Sequence, residues 1–239
     1  MSGRAMLRLA SLALLTAAGP VAAQGWQCRA PRSLPRSEAA PRPPAEPVRR
    51  VPTGGYVLSL SWSPEYCRTR TNSARDALQC SAGRIGDFGF VLHGLWPQGR
   101  ARAPWPQYCR SVKPVPPADL REQICRTPSV GLLNHEWAKH GSCMTARPGA
   151  YFRASAVLFD ALEFPDMDRL SRKAPTAGTV RAAFAQANPG LPESAVRLKL
   201  NRRGWLTEVR LCLGLRFRPT ACAAPPLPST TKVKIWRGG

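Results

Sequence analysis

The stretch VRLKLNRRGWLTEVRLCL (196–213) decides the fold, because it holds two short strands and the turn that joins them. VRLKL and WLTEVRLCL are rich in apolar and β-branched residues, and the polar segment NRRG between them ends in glycine. This pattern predicts a β-hairpin, whose two strands run antiparallel. A domain that contains this hairpin is therefore expected to contain an antiparallel sheet.

Further strands and helices are predicted on both sides of the hairpin. Alternating or continuous apolar residues predict strands at YVLSLSW (56–62), FGFVL (88–92) and TKVKIW (231–236). Helical spacing predicts helices over 129–140, with Ser129 as N-cap and Gly141 as the stop, over 151–163, and over 179–187, opened by Thr179. The mixture predicts an α+β fold: a single domain over 54–239 in which several helices pack on a central antiparallel sheet, held by disulfide bonds.

The residues before this domain are expected to lie outside its core. Arg4 and Arg8 precede a short apolar run, and small residues lead up to Ala23, a pattern typical of a signal peptide over 1–23. A retained membrane anchor is the alternative. Residues 24–53 are rich in Pro and Arg without apolar periodicity, so we expect a mobile, disordered leader. The signal peptide predicts a periplasmic or extracellular protein.

The eight cysteines all follow the predicted cleavage site. An even number of cysteines in an exported chain predicts disulfide bonds, although their spacing alone does not choose the pairs. The competing hypothesis is a zinc site. It is disfavoured because the sequence contains no pair of cysteines separated by two residues.

The charge of the chain is strongly unbalanced, with 35 Lys and Arg against 14 Asp and Glu and a net charge of +21. Such an excess predicts a polyanionic partner, either a nucleic acid or an anionic membrane surface. Composition alone does not distinguish the two.

All three histidines of the chain lie in two short segments, HGLWPQ (93–98) and NHEWAKHGSC (134–143). Histidine titrates near neutral pH, so it can both accept and donate a proton during catalysis. On a helix, Glu136 and His140 would share one face and His135 and Lys139 the next. The segment would thus bring a carboxylate, an ammonium group and imidazoles together.

A zinc protease is the obvious rival, because HEWAKH looks like the motif HExxH. That motif needs histidines four residues apart so that both reach one metal ion. Here His135 and His140 are five apart and point in different directions on a helix. The sequence therefore does not predict a metalloprotease, and we expect neither a metal ion nor another cofactor.

HGLWP followed by HEWAKHGSC closely resembles the two active-site motifs of the ribonuclease T2 family. Residues 56–67 and 128–143 are similar to that family's first strand and to its second motif with the residues before it. The resemblance is strong over 56–143 and weaker up to about residue 222. It implies a secreted endoribonuclease that cleaves single-stranded RNA without a metal ion.

The resemblance also implies the catalytic roles. His140 would take the proton from the ribose 2′-hydroxyl, and His93 would protonate the leaving 5′-oxygen. Glu136 and Lys139 would stabilise the negatively charged transition state. The expected product is a 2′,3′-cyclic phosphate that is then opened to a 3′-phosphate.

Three further residues are implied to bind the substrate. His135 would contact the phosphate, and Trp96 would pack against a base or support His93. Gln98 stands where several family members have Asp or Asn, at a position linked to base preference, so its contribution to specificity is open. The expected partner is single-stranded RNA, and the expected state is a monomer.

The disulfide pairs implied by the resemblance are Cys67–Cys80, Cys109–Cys143 and Cys212–Cys222. Of these, Cys109–Cys143 would hold the two histidine segments together. Cys28 and Cys125 remain, either paired with each other or with Cys28 free or intermolecular.

A second class of function also fits the charge. A cationic protein without catalytic activity could bind nucleic acid or perturb membranes, although this would not explain the clustered histidines. Such a protein would lose affinity for RNA with added salt and would never shorten it.

Overall fold

In residues 27–43, 45–100 and 103–238, which a computed structural model describes, four antiparallel strands form one sheet. Their order is β2-β1-β4-β3, and their bounds are β1 (Thr53–Trp62), β2 (Phe90–Gly99), β3 (Val196–Leu200) and β4 (Leu206–Leu213). The predicted signal peptide lies outside the described residues. The prediction of an α+β fold built on an antiparallel sheet is confirmed.

The predicted hairpin is formed by β3 and β4. The Asn201 side chain accepts hydrogen bonds from the backbone N–H groups of Arg203 (2.9 Å) and Trp205 (3.1 Å). Gly204 adopts a φ of 81°, a conformation that glycine reaches without steric cost. The polar NRRG segment therefore forms a turn, and Asn201 and Gly204 within it stabilise its geometry.

The helices surround this sheet. They are α1 (Ser63–Cys67), α2 (Ala77–Cys80), α3 (Pro117–Gln123), α4 (Val130–Glu136), α5 (Ser142–Met144), α6 (Pro148–Asp160), α7 (Met167–Ser171) and α8 (Ala177–Ala187). Short 3₁₀ turns cover Ala74–Asp76 and Glu193–Ala195, and a π-helical segment, Trp137–Gly141, joins α4 to α5. No helix among the described residues is long and apolar enough to cross a membrane.

Three predicted boundaries were wrong. Gly141 does not end the helix. Helical structure continues to Met144, because this glycine allows close packing against Trp137 and Tyr151. The N-cap of α8 is Thr176, and Thr179 closes a reciprocal capping box with it. The helix predicted over 151–163 is α6, which begins at Pro148 and ends at Asp160.

Two predicted strands also differ from the structure. The strand predicted over 88–92 begins at Phe90 and continues to Gly99, so that the first histidine segment is itself part of the sheet. The tail 231–236 makes only isolated bridges, from Lys232 to Thr176 and from Lys234 to Trp205. Its apolar residues Val233 and Ile235 are nevertheless buried.

The core lies between the sheet and the helices. Phe90 of β2 packs against Phe164 and Phe184, with ring centroids 5.3 and 5.5 Å apart. Phe159 on α6 extends the cluster, its ring 5.5 Å from that of Phe164. The apolar face of the sheet therefore fixes β2 firmly against the helical layer.

The described part of the leader lies against the domain, whereas the sequence predicts a mobile segment. Arg49 exchanges backbone hydrogen bonds with Gln107, at 3.0 Å each. The Ser37 hydroxyl donates to the carbonyl oxygen of Val115 at 2.8 Å. These contacts explain how a segment without apolar periodicity is ordered: backbone and side-chain polar groups hold it instead of a core.

All eight cysteines are paired. Cys67–Cys80, Cys109–Cys143 and Cys212–Cys222 are the three pairs that the family resemblance implies. The fourth disulfide joins Cys28 to Cys125 and so attaches the start of the leader to the helical layer.

We expect the Cys28–Cys125 disulfide to stabilise the fold more than Cys212–Cys222 does. The first closes a loop across 97 positions and the second across 10, and a longer loop restricts the unfolded chain more. Replacing both cysteines of the first pair by serine should lower the free energy of unfolding by about 2–4 kcal/mol in urea denaturation. The matched double serine variant of the second pair is the control, and an equal or larger decrease in it would contradict the expectation.

Candidate active site

The first histidine segment lies on β2, where a β-bulge interrupts the pairing with β1. Ser59 pairs with Gly94 and Leu60 with Leu92, which leaves His93 as the extra residue. Residues three apart on a regular strand point to opposite faces, but a bulge shifts that alternation by one. The rings of His93 and Trp96 can therefore meet, with centroids 5.1 Å apart.

The second segment lies where α4 changes to the π-helical segment. Glu136 ends α4, and Lys139 and His140 follow in the wider turn. Such π-helical turns are rare and are frequently found at functional sites. Here the turn places His140 against Trp96, with ring centroids 5.4 Å apart. The indole of Trp96 thus contacts both imidazoles.

Glu136 connects the two segments. Its carboxylate accepts a hydrogen bond from the Trp96 indole N–H at 2.7 Å and lies 3.5 Å from Nε2 of His93. Only 2% of Glu136 is exposed. Burial raises the pKa of Glu136 to about 7, since a buried carboxyl group resists ionisation. Near neutral pH this group can therefore hold or release a proton.

His93 is surrounded by acceptors. Its Nδ1 lies 3.2 Å from Oε1 of Glu208 and 3.2 Å from the hydroxyl of Ser61, while Nε2 faces Glu136. Burial lowers the pKa of His93, but the carboxylates of Glu208 and Glu136 outweigh it, so that the pKa is raised above 6.5. The surroundings of His93 thus favour the protonated imidazolium.

His140 has the opposite environment. It is 6% exposed, and its buried Nδ1 has no hydrogen-bond partner among the described residues. Burial and the nearby charges of Lys139 and His135 lower the pKa of His140 to about 2. The surroundings of His140 therefore favour the neutral imidazole. A ring with so low a pKa is a weak base until a nearby negative charge raises that pKa.

Lys139 is bound to the leader. Its ammonium group donates to the carboxylate of Glu46, with N–O distances of 2.9 and 2.8 Å. The interaction with Lys139 outweighs partial burial and lowers the pKa of Glu46. The backbone N–H of Tyr108 donates to the carbonyl oxygen of Lys139 at 2.8 Å, beside the Cys109–Cys143 disulfide.

His135 and Gln98 are the remaining predicted site residues. His135 has a pKa lowered by burial and by the charge of Lys139, and it lines a cavity together with His93. Among the described residues, the Gln98 side chain donates only to the carbonyl oxygens of Trp96 (3.2 Å) and Pro97 (3.3 Å), on its own strand.

Sequence reasoning missed Glu208, Ser61, Arg210 and Glu46. Ser61 pairs with Glu208 across β1 and β4, a register that neither histidine motif signals. Arg210 forms an ion pair with Glu208 at 2.7 Å, and its guanidinium carbon lies 4.7 Å from the ring centroid of Trp96. Burial raises the pKa of Glu208, but His93 and Arg210 outweigh it and lower that pKa to about 2. Glu208 is therefore ionised beside His93 through the ordinary pH range.

Within residues 27–43, 45–100 and 103–238, no three His, Cys, Asp or Glu side chains are grouped so that they could hold a metal ion. The active-site cluster described above consists of side chains that can donate or accept protons, arranged around Trp96.

Comparison with known proteins identifies the family. A sequence model described as "Ribonuclease T2 family" matches residues 53–179. The chain belongs to the ribonuclease T2 family. Membership confirms the resemblance inferred from the two motifs.

Two bacterial relatives agree with this assignment. A "Probable ribonuclease" of Haemophilus influenzae is 33% identical over 181 residues, which cover 72% of this chain and 62% of the relative. A "Ribonuclease" of Aeromonas hydrophila is 33% identical over 164 residues, covering 66% of this chain and 70% of the relative. The chain thus spans less than two thirds of the first relative's length.

The fold agrees with solved structures as well. The ribonuclease RNase NT, determined in complex with 5′-AMP, superposes with a TM-score of 0.59 at 19% identity. The match covers 77% of this chain and 98% of RNase NT. At this identity the likeness establishes the fold of this ribonuclease T2 family member.

We expect the substitution Gly94→Ala to damage the site. A methyl group there would overlap the Glu136 carboxylate and approach the Trp96 indole nitrogen to 2.8 Å. Because small displacements of catalytic groups are costly, RNA cleavage should fall roughly 100-fold. The measurement is kcat/KM on RNA together with the thermal unfolding midpoint.

Gly83→Ala is the matched control, since a methyl group at Gly83 would meet only the Ser81 hydroxyl, at 4.0 Å. Unchanged activity in the Gly94→Ala variant would show that the positions of Glu136 and Trp96 do not matter for cleavage.

Proposed function

We propose that this protein cleaves single-stranded RNA by acid–base transesterification, with His140 as the base and His93 as the acid. One observation carries the proposal: the two imidazoles flank Trp96, at 5.1 and 5.4 Å, in environments that shift their pKa values in opposite directions. An acid–base pair needs one partner that starts protonated and one that starts neutral. Family membership and the names of the relatives support the reaction class.

The reaction follows from these roles. His140 takes the proton of the ribose 2′-hydroxyl while the 2′-oxygen attacks the neighbouring phosphorus. The bond from phosphorus to the 5′-oxygen breaks, and His93 gives its proton to that oxygen. The products are a 2′,3′-cyclic phosphate and a 5′-hydroxyl. Water then opens the ring to a 3′-phosphate, with the two histidines exchanging roles.

The substrate supplies its own nucleophile, so the proposed reaction needs no metal-bound water. DNA lacks the 2′-hydroxyl and cannot react in this way. The net charge of +21 favours a polyanionic strand over a neutral or cationic substrate.

Lys139 and Glu136 would stabilise the charge that builds on the phosphate. Lys139 must exchange the Glu46 carboxylate for a phosphate oxygen, which places the leader in competition with the substrate. Glu136, with its raised pKa, can donate a hydrogen bond to the phosphate when protonated. Both groups belong to the helical segment that carries His140.

Substrate binding is assigned to three residues. His135 would contact the phosphate, and Trp96 would pack against a base or brace His93. Gln98 can offer its amide to a base only by giving up its bonds to the backbone of β2.

Export is the second part of the proposal. The predicted signal peptide over 1–23 would deliver the chain to the periplasm or the medium, where its four disulfides can form. We propose that the mature enzyme acts there as a monomer, with residues 54–239 as the catalytic domain.

The substitutions His93→Phe and His140→Phe should each lower kcat on RNA by about 10²–10⁴-fold, because each removes one partner of the proton transfer. His135→Phe is the comparison variant and should mainly raise KM. The assay should contain EDTA and should identify the RNA ends, with cyclic phosphate expected. Near-normal turnover in either catalytic variant would contradict the assignment, and inhibition by EDTA that zinc reverses would favour a metal mechanism.

A further inference from the structure

The side chains of His93 and Glu208 meet although a strand separates them. His93 lies on β2 and Glu208 on β4, and β1 runs between these two strands. Neighbouring strands lie about 4.8 Å apart, so the two side chains must together span roughly twice that distance. The residue of β1 that pairs with Glu208 is Ser61, and its side chain is too small to block the contact. Nδ1 of His93 therefore reaches Oε1 of Glu208 at 3.2 Å.

Arg210 fixes the orientation of the Glu208 carboxylate. Its Nε and Nη2 atoms donate to Oε2 at 2.8 and 2.7 Å, which leaves Oε1 for His93. Residues two apart on a strand share one face of the sheet, so Arg210 lies on the same face as Glu208. Its guanidinium carbon also lies 4.7 Å from the ring centroid of Trp96. Because each carboxylate oxygen has its own partner, the carboxylate cannot rotate away from His93 without breaking both interactions.

The two ring nitrogens of His93 face different groups. Nδ1 contacts the Glu208 carboxylate and the Ser61 hydroxyl, whereas Nε2 faces Glu136. The hydrogen bond that one nitrogen of an imidazole makes decides which nitrogen keeps its proton. A carboxylate at Nδ1 keeps the proton on that atom. Nε2 is then the atom that can exchange a proton with a substrate.

Glu208 is also the more constant of the two negative charges beside His93. The pKa of Glu208 is lowered to about 2 by His93 and Arg210, against the effect of burial, whereas burial raises the pKa of Glu136 to about 7. Glu136 is therefore increasingly neutral below pH 7, while Glu208 stays ionised. The other charged or titratable groups around this pair are cationic when charged, and they include Arg210, Lys199, His135, Lys139 and His140.

We propose that Glu208 is a positioning residue for His93, which it orients and holds as an imidazolium whose Nε2 proton points at the leaving group. The inference rests on the proposed function, in which His93 is the acid. As the bond from phosphorus to the 5′-oxygen breaks, the Nε2 proton passes to that oxygen, and the Nδ1 proton stays in its hydrogen bond to Glu208. In the second step Nε2 takes a proton from the attacking water. Glu208 itself gains and loses no proton in either step.

The test compares two substrates that differ in their need for an acid. The 5′-oxygen of the dinucleotide UpA must be protonated as it leaves, whereas 4-nitrophenolate leaves uridine 3′-(4-nitrophenyl phosphate) without a proton. The variant Glu208→Gln keeps the size of the side chain and removes its charge. Slightly above neutral pH it should lower kcat/KM on UpA about tenfold or more, because less of His93 is protonated, and should change kcat/KM on the nitrophenyl ester by less than about twofold.

The pH profile separates an effect on His93 from a general loss of structure. The basic limb of kcat/KM reports the deprotonation of the acid in the free enzyme. A neighbouring carboxylate raises the pKa of an imidazole, so without this charge His93 loses its proton at a lower pH. The basic limb of Glu208→Gln should therefore move to lower pH by about one unit or more. Glu208→Asp keeps the charge, and its limb should move less.

Glu193→Gln is the matched control, because Glu193 is an exposed carboxylate in the 3₁₀ turn just before β3. It should leave the cleavage of both substrates and the basic limb unchanged. His93→Phe is the reference for complete loss of the acid, and it should lose far more activity on UpA than on the nitrophenyl ester.

The inference is overturned if His93→Phe shows this difference between the substrates while Glu208→Gln loses activity equally on both or keeps its basic limb in place. A limb that moves as far in Glu208→Asp as in Glu208→Gln would also overturn it. Equal losses on both substrates in His93→Phe would instead contradict the proposed function, in which His93 is the acid.

Discussion

The site depends on the hydrogen bond between the Trp96 indole N–H and the Glu136 carboxylate. This bond joins β2 to the helix that carries His140, and it holds the indole between two imidazoles. Behind it, Phe90 fixes β2 in the core and Cys109–Cys143 ties the loop after β2 to the end of the helix. The positions of the acid and the base are thus a consequence of packing and covalent attachment rather than of mobile side chains.

The pKa values of His93 and His140 are shifted in opposite directions for one physical reason. His93 loses water but gains the carboxylates of Glu208 and Glu136, whereas His140 loses water and gains only neighbouring cations. Burial favours the neutral form of each ring, and only a nearby negative charge reverses that preference. The leader also contributes, since the Glu46 carboxylate pairs with the Lys139 ammonium group.

Much of the fold was predictable because it follows from local rules. The NRRG turn between two apolar strands predicted the hairpin, and Ser129 was recognisable as a helix cap. The site was only partly predictable. Glu208 reaches His93 through the register of β1 and β4, a long-range pairing that no motif encodes. The bulge at His93, the π-turn that carries His140 and the contacts of the leader likewise depend on tertiary packing.

The central claim is that folding gives the two histidines opposite protonation states. An NMR titration of the imidazole carbons and protons, with each histidine assigned by substitution, measures this directly. We expect His93 to titrate above the ordinary pKa of 6.5 and His140 to stay neutral far below it. If the two rings titrate together near the ordinary value, or in the reverse order, the claim is contradicted.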